Sequence, residues 1–310
     1  MTFDWFRAMN TDVLLATDSK NPVDEFDRAR SFIKSGELRF SRFLPESELN
    51  WLNAHSGERV QVSDDMFNLL ELALRYHIET EGLFDPSILP DLERMGYDRS
   101  MDEIQAGGDI TPLSGKRKES GSEFSERDLD NMDLKIRLPI GIRIDLGGIA
   151  KGWIVEQAAR EMRIDSQARA VNAGGDMFFS GKPEGNDGWE VGVEDPRNPR
   201  ENLTVLRVDE CAVATSSIGK RKWQQERMQR HHLIDPRSGE PAESPWVSVT
   251  VLAPAATQAE VYAKTILIGG QEAALKLIKQ QPQIDFLAVD HENQIWRNEH
   301  GVIKCQTLVN

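Results

Sequence analysis

Between residues 168 and 253 the chain carries six short apolar runs, "ARAVNA", "DMFFSG", "WEVGVED", "LTVLRV", "CAVATSS" and "WVSVTVLA", separated by glycine-rich and polar segments. Runs of this length, rich in valine and threonine, read as strands. Helical patterns around them are few: "AKGWIVEQAAREMRI" before, then a helix from about Thr257 to Ile268 and another near 271–281, followed by a closing hairpin. Strands that outnumber helices and do not alternate with them argue against a doubly wound parallel sheet and for an α+β fold.

The first half is more helical. Residues 6–17 read as one strand. "PVDEFDRARSFIKSGELRFSRF" reads as a helix begun near Pro22, with Phe26, Ala29 and Ile33 on one face. "SDDMFNLLELALRYHIETEG" reads as a second: Ser63 caps it, Asp64 and Asp65 suit its first turn, and Gly82 ends it. "LFDPSILPDLERMGYD" is turn-rich. From about Asp98 to Asp133 the chain is polar and mixed in charge, which reads as a mobile surface excursion from a single domain spanning 1–310. Strands resume at "LKIRL" and "IGIRIDL".

Charge narrows the partners. With 51 acidic against 37 basic side chains the net charge is −14, which disfavours nucleic acid and anionic membrane surfaces. No run approaches the roughly 18 apolar residues of a membrane span, and the N-terminus, with Asp4 and no long apolar core, does not read as a signal peptide. Two cysteines, Cys211 and Cys305, show no metal or disulfide spacing. A reducing, cytoplasmic setting is expected.

Three stretches carry chemistry. In "IDLGGIAKGW" an apolar run leads through Asp145, Gly147 and Gly148 into a helix bearing Lys151. Glycines admit a ligand close to the backbone, a helix N-terminus offers unsatisfied N–H donors, and lysine adds a cation, so the stretch suits a phosphate. A tight strand-to-helix turn with an exposed lysine explains it equally well. "AVNAGGDMFFSG" reads as a hairpin turn at Gly174 and Gly175. "HHLIDPRSGEP" sets His232 beside an Asp-Pro and Ser-Gly turn, where an imidazole is held as a general base must be.

Taken in order, "AMNT", "FSRFLPESELNWLN", "GLFDPSILP", "IDLGGIAKGW", "NAGGDMFFSG", "AVATSS", "HLIDPRSGEP" and "AEVYAKTILIGG" resemble the ApbE family of FAD:protein FMN transferases, over essentially the whole chain. The resemblance implies a T-fold-like α+β architecture of mixed and antiparallel strands with packed helices, in two lobes around an FAD cleft. It implies transfer of the FMN half of FAD to a threonine or serine hydroxyl of an acceptor protein, with release of AMP. On the same resemblance His232 is the base. Met9, Phe43, Leu83, Phe84, Asp85, Asp145, Lys151 and Ile234 fall at FAD-contacting positions. Gly148, Glu260 and Lys264 fall where the family holds Mg²⁺.

Three positions depart from the pattern. Asn10 stands where the family usually has glycine. In the last helix the family reads roughly A-D-x-x-A-T, with Asp and Thr as metal ligands, and here Glu260 and Lys264 hold those places. An ammonium cannot ligate a cation. Thr265 lies about 100° further around the helix, so a one-residue slip does not restore the pair. An i,i+4 salt bridge is the plain reading of Glu260 and Lys264, and replacement of the metal by Lys264 is the sharper one. An FAD pyrophosphatase and a non-catalytic FAD-binding protein are the alternative activities.

Overall fold

The computed structural model describes residues 1–107, 124–163, 166–225 and 228–299, and the backbone of 302–306. Its helices are α1 (Pro22–Phe40), α2 (Glu48–Ala54), α3 (Asp64–Glu79), α4 (Leu89–Arg94), α5 (Met101–Gly107), α6 (Ala150–Glu161) and α7 (Ala256–Gln280). The chain divides into two compact units. Unit 1 holds Met1–Ser35, Lys151–Gly219 and Ser244–Asn310, and unit 2 holds Gly36–Ala150 and Lys220–Glu243.

Unit 1 is built on a nine-stranded sheet whose strands neighbour one another in sequence order: β1 (Thr2–Ala8), β2 (Thr11–Thr17), β3 (Arg169–Ala173), β4 (Asp176–Ser180), β5 (Cys211–Ser217), β6 (Trp246–Ala253), β7 (Asp285–Asp290), β8 (Ile295–Glu299) and β9 (Val302–Gln306). Every pairing in it is antiparallel. The apolar runs of the sequence are continuous rather than alternating because both faces are covered. On one face Ala16, Ala170, Phe179 and Val213 pack under Val191 and Val208 of a separate hairpin, 189–194 with 202–208. Leu15 and Val171, one residue along from Ala16 and Ala170, point the other way and are also fully buried. α7 packs along β5 and β6, with Tyr262 fully buried.

Unit 2 is mainly helical. Ser47 caps α2 and Ser63 caps α3, accepting from Asn50 N at 3.1 Å and Met66 N at 3.2 Å. Gly82, at φ 80°, closes α3 with its N–H on the His77 carbonyl, as its sequence position predicts. A cluster of Leu92, Met95, Tyr97, Ile104, Trp223 and Ile234 forms a core, with Phe43, Ile88 and Met101 against it.

Several elements differ from the sequence reading. Residues 6–17 are two strands, because Met9 and Asn10 both take positive φ (53° and 55°) and reverse the chain. Asn is among the few side chains that tolerate that region, so it can stand in for glycine at this turn. "LFDPSILPDLERMGYD" holds a 3-10 turn, Pro86–Ile88, and α4. "IGIRIDL" joins no sheet. Asn53 claims the Ile144 backbone instead, donating to its carbonyl at 2.9 Å and accepting from its N–H at 2.8 Å, while Asp145 N donates to Pro86 O at 2.8 Å. The two helices expected after residue 256 are one run broken at Gly270, whose φ of 64° and ψ of −152° are not helical. Of the polar excursion, 108–123 lies outside the described residues. On its flanks α5 buries Ile104 in the unit 2 core, and Phe124 is buried.

Candidate functional site

In unit 1 the predicted residues Lys151, Glu260 and Lys264 come together. α6 and α7 meet at their N-terminal ends, and each supplies a carboxylate to the other's unsatisfied backbone donors. Glu260 of α7 accepts from Gly152 N at 2.8 Å, and Glu156 of α6 accepts from Ala256 N at 2.9 Å. The approach needs a glycine: a Cβ on Gly152 would stand 2.5 Å from the Ala256 carbonyl oxygen. Glu260 is fully buried. Its Oε1 accepts from Lys264 Nζ at 2.9 Å and lies 3.6 Å from Lys151 Nζ, which also pairs with Asp176 at the start of β4. Burial pushes the Glu260 carboxyl up, but the charges of Lys264 and Lys151 and the Gly152 N–H outweigh it, and it stays below the usual carboxylate range. Two ammoniums and two carboxylates thus alternate in one small space.

The sheet sets Met9 at the same end of unit 1. β2 pairs β3 and β3 pairs β4, so the Met9–Asn10 turn and the Gly174–Gly175 turn lie at one end of neighbouring strands, with Asp176 just inside. Gly174 and Gly175 (φ 64° and 99°) form the expected hairpin turn, and a Cβ on Gly174 would strike Thr11 Oγ1 at 2.3 Å. Thr265 donates its hydroxyl to the Val261 carbonyl, so it takes no part in the cluster.

In unit 2 one arginine links several of the remaining predicted residues. Arg42, its side chain 6% exposed, pairs through Nε with Asp145 Oδ1 at 3.1 Å. Its guanidinium lies over the rings of Phe43 (4.2 Å) and Tyr97 (4.5 Å). Tyr97 in turn meets the His232 ring edge-on, centroids 6.4 Å apart, and stacks on Trp223. The Asp145–Pro86 hydrogen bond ties this group to Leu83–Asp85. There Asp85 caps the 3-10 turn, accepting from Ser87 N at 2.8 Å, and His77 Nδ1–H donates to the Phe84 carbonyl at 2.8 Å. Gly147, which begins the turn into α6, donates its N–H to Asp145 Oδ2 at 3.1 Å.

The His232 turn is held as the sequence suggests. Asp235 O accepts from Gly239 N at 2.8 Å, its carboxylate accepts from Arg237 N at 2.9 Å, and Ile234 is buried in the core. Arg94 of α4 reaches across, donating to Gly239 O and to Glu240 Oε1, with Asp91 beside it.

The sequence of residues 9–288 matches the ApbE family. The chain belongs to that family. ApbE-family relatives include a protein of Treponema pallidum named FAD:protein FMN transferase, 26% identical over 92% of this chain and 83% of its own length. A protein of the same name from Vibrio cholerae is 26% identical over 88% of this chain and 80% of its own. Among solved structures, the ApbE protein of Thermotoga maritima superposes with a TM-score of 0.82 at 25% identity, covering 96% of this chain and 97% of that one. The flavin transferase ApbE of Vibrio cholerae does so at 0.76 and 20% identity, covering 96% of each.

Within this ApbE framework the metal positions do not fit a metal. Glu260 spends one oxygen on Gly152 and the other on Lys264, and Lys264 has no lone pair to give. Among the described residues no three His, Cys, Asp or Glu side chains are grouped to hold an ion. Of the three residues predicted to hold it, Glu260 and Lys264 form an ion pair, and Gly148 lies in the turn that leads into α6. Among the described residues no helix is long and apolar enough to cross a membrane.

Sequence reasoning passed over Arg42, Tyr97, Arg94, Asp176, Glu156 and His77. A signal for Arg42 lay in "FSRF", an arginine flanked by aromatics, but nothing local says that its partner is Asp145, a hundred residues on. Glu156 and Gly152 gave none, because their partners lie on α7.

Proposed function

We propose that this chain is an FAD:protein FMN transferase. The observation that carries the reading is the similarity, over 92% of the chain, to a relative of that name. The reaction is attack of an acceptor threonine or serine hydroxyl on the FMN phosphorus of FAD. A new P–O bond forms to the acceptor, the bond from that phosphorus to the bridging oxygen breaks, and AMP leaves with that oxygen.

In this proposal His232 accepts the hydroxyl proton, and its stiff turn supports that role because a general base works at a fixed distance. Lys151 offsets charge on the pyrophosphate. Phe43, Leu83, Phe84, Asp85, Asp145, Ile234 and Met9 contact FAD. Arg42 holds Asp145 in place. The acceptor protein and the cytoplasmic setting belong to the proposal too.

The test incubates the protein with FAD and a lysate of its host. A fluorescent protein band with matching AMP release is expected, and His232→Ala abolishes both. AMP release with no flavinylated band would make the protein an FAD pyrophosphatase, and neither product would overturn the transferase reading.

A further inference from the structure

We infer that this chain binds the pyrophosphate of FAD with two built-in ammonium groups, Lys151 and Lys264, and without a divalent cation. The inference rests on the proposed FAD chemistry and specifies how that site meets phosphate. Three observations carry it.

First, the carboxylate that would ligate an ion is already satisfied. Glu260 is fully buried, with Gly152 N at 2.8 Å on one oxygen and Lys264 Nζ at 2.9 Å on the other. Its remaining neighbour is another cation, Lys151 Nζ at 3.6 Å. Second, the other carboxylate of the cluster, Asp176, is ion-paired with Lys151. A divalent ion entering here would have to displace an ammonium from its carboxylate. Third, the cluster holds two positive and two negative groups, so its formal charges balance before any ligand arrives. Lys264 uses one of its three donors on Glu260 and its side chain keeps 16% of its surface exposed. It can give another hydrogen bond to a phosphoryl oxygen without leaving Glu260, as a point charge on a flexible stem does. Thr265, the neighbouring oxygen that could have served a metal, is turned back onto its own helix.

Isothermal titration of FAD into the intact protein, in EDTA and in millimolar Mg²⁺, tests this directly. Affinities that agree within about twofold are expected. In parallel, Mn²⁺ titrated alone and followed by electron paramagnetic resonance is expected to show no site on the parent protein. Lys264→Thr weakens FAD binding in EDTA about tenfold, the loss of one charge-assisted hydrogen bond, while Lys264→Arg retains it. FAD binding by the parent that requires Mg²⁺, or a stoichiometric Mn²⁺ site at this cluster, overturns the inference and leaves the transferase reading standing. Absence of FAD binding in both buffers overturns both. Because the deciding comparison uses the unmodified chain, instability of the Lys264 variants does not blur the outcome.

Discussion

The meeting of α6 and α7 can be broken with one methyl group. In Gly152→Ala the new Cβ would sit 2.5 Å from Ala256 O, 2.8 Å from Ala256 C and 3.0 Å from Thr257 N. These are backbone atoms at the start of α7, so no side chain can swing aside. To reach ordinary contact the two helix ends must part by roughly 0.5–1 Å, which stretches the 2.8 Å Gly152–Glu260 hydrogen bond out of useful range. Overpacking of this kind costs about 1–3 kcal/mol, and losing a buried hydrogen bond to a charged acceptor costs about 1.5–3 kcal/mol. Alanine recovers up to about 1 kcal/mol through its better helix propensity. A net loss of about 2–5 kcal/mol corresponds to a fall in melting temperature of roughly 3–8 °C for a chain of this size. Scanning calorimetry of Gly152→Ala measures it, with Gly107→Ala as the control. Gly107 ends α5, and a Cβ there would meet nothing within 4 Å, so that change is neutral or mildly stabilising. A Gly152→Ala protein that melts within about 1 °C of the parent would refute the reasoning, since marginal stabilities respond to such terms.

Other expectations concern single side chains. Arg42→Leu removes the cation between Phe43 and Tyr97 and frees Asp145, and FAD affinity measured by calorimetric titration is expected to weaken about tenfold or more; unchanged affinity would dissociate Arg42 from FAD binding. Burial, opposed by the Ala242 backbone and aided by Lys222 and Arg230, pushes His231 below its ordinary 6.5. The unfolded chain therefore takes up a proton near pH 6.5 that the folded one refuses, so stability falls as pH drops from 6.5 toward the folded pKa. Urea melts between about pH 8 and 5 should show that slope, and His231→Gln should flatten it. Burial, with Asp209 adding to it, pushes the Cys211 thiol up to about 11. Fewer than about one in a thousand Cys211 side chains is then thiolate near pH 7.5, and peptide mapping after iodoacetamide should find it nearly unlabelled. Labelling as fast as glutathione would contradict that shift.

Much of the architecture was legible in the residues themselves. Ser63, Asp64, Asp65 and Gly82 bracket α3 because caps and stop signals act within one turn. The Gly174–Gly175 hairpin and the Asp235–Gly239 turn follow from local backbone preference in the same way. The α+β class, the ApbE-family motifs and the ammonium at position 264 could also be read there. Where local pattern misled, a distant group had intervened. "IGIRIDL" has a strand's composition, yet it pairs with no strand: Asn53 engages both backbone groups of Ile144, and Pro86 accepts from Asp145 N. Residues 6–17 concealed a reversal because Met-Asn is an uncommon pair for a two-residue turn.

What a chain can state alone is the preference of each segment, since propensity, capping and periodicity depend on neighbours a few positions away. What it cannot state is which buried charge finds which partner. Glu260 meeting Gly152, Glu156 meeting Ala256 and Arg42 meeting Asp145 are contacts between segments about a hundred residues apart. Those pairings were decided when packing brought the segments together, because a carboxylate removed from water must accept whichever donors the fold leaves beside it.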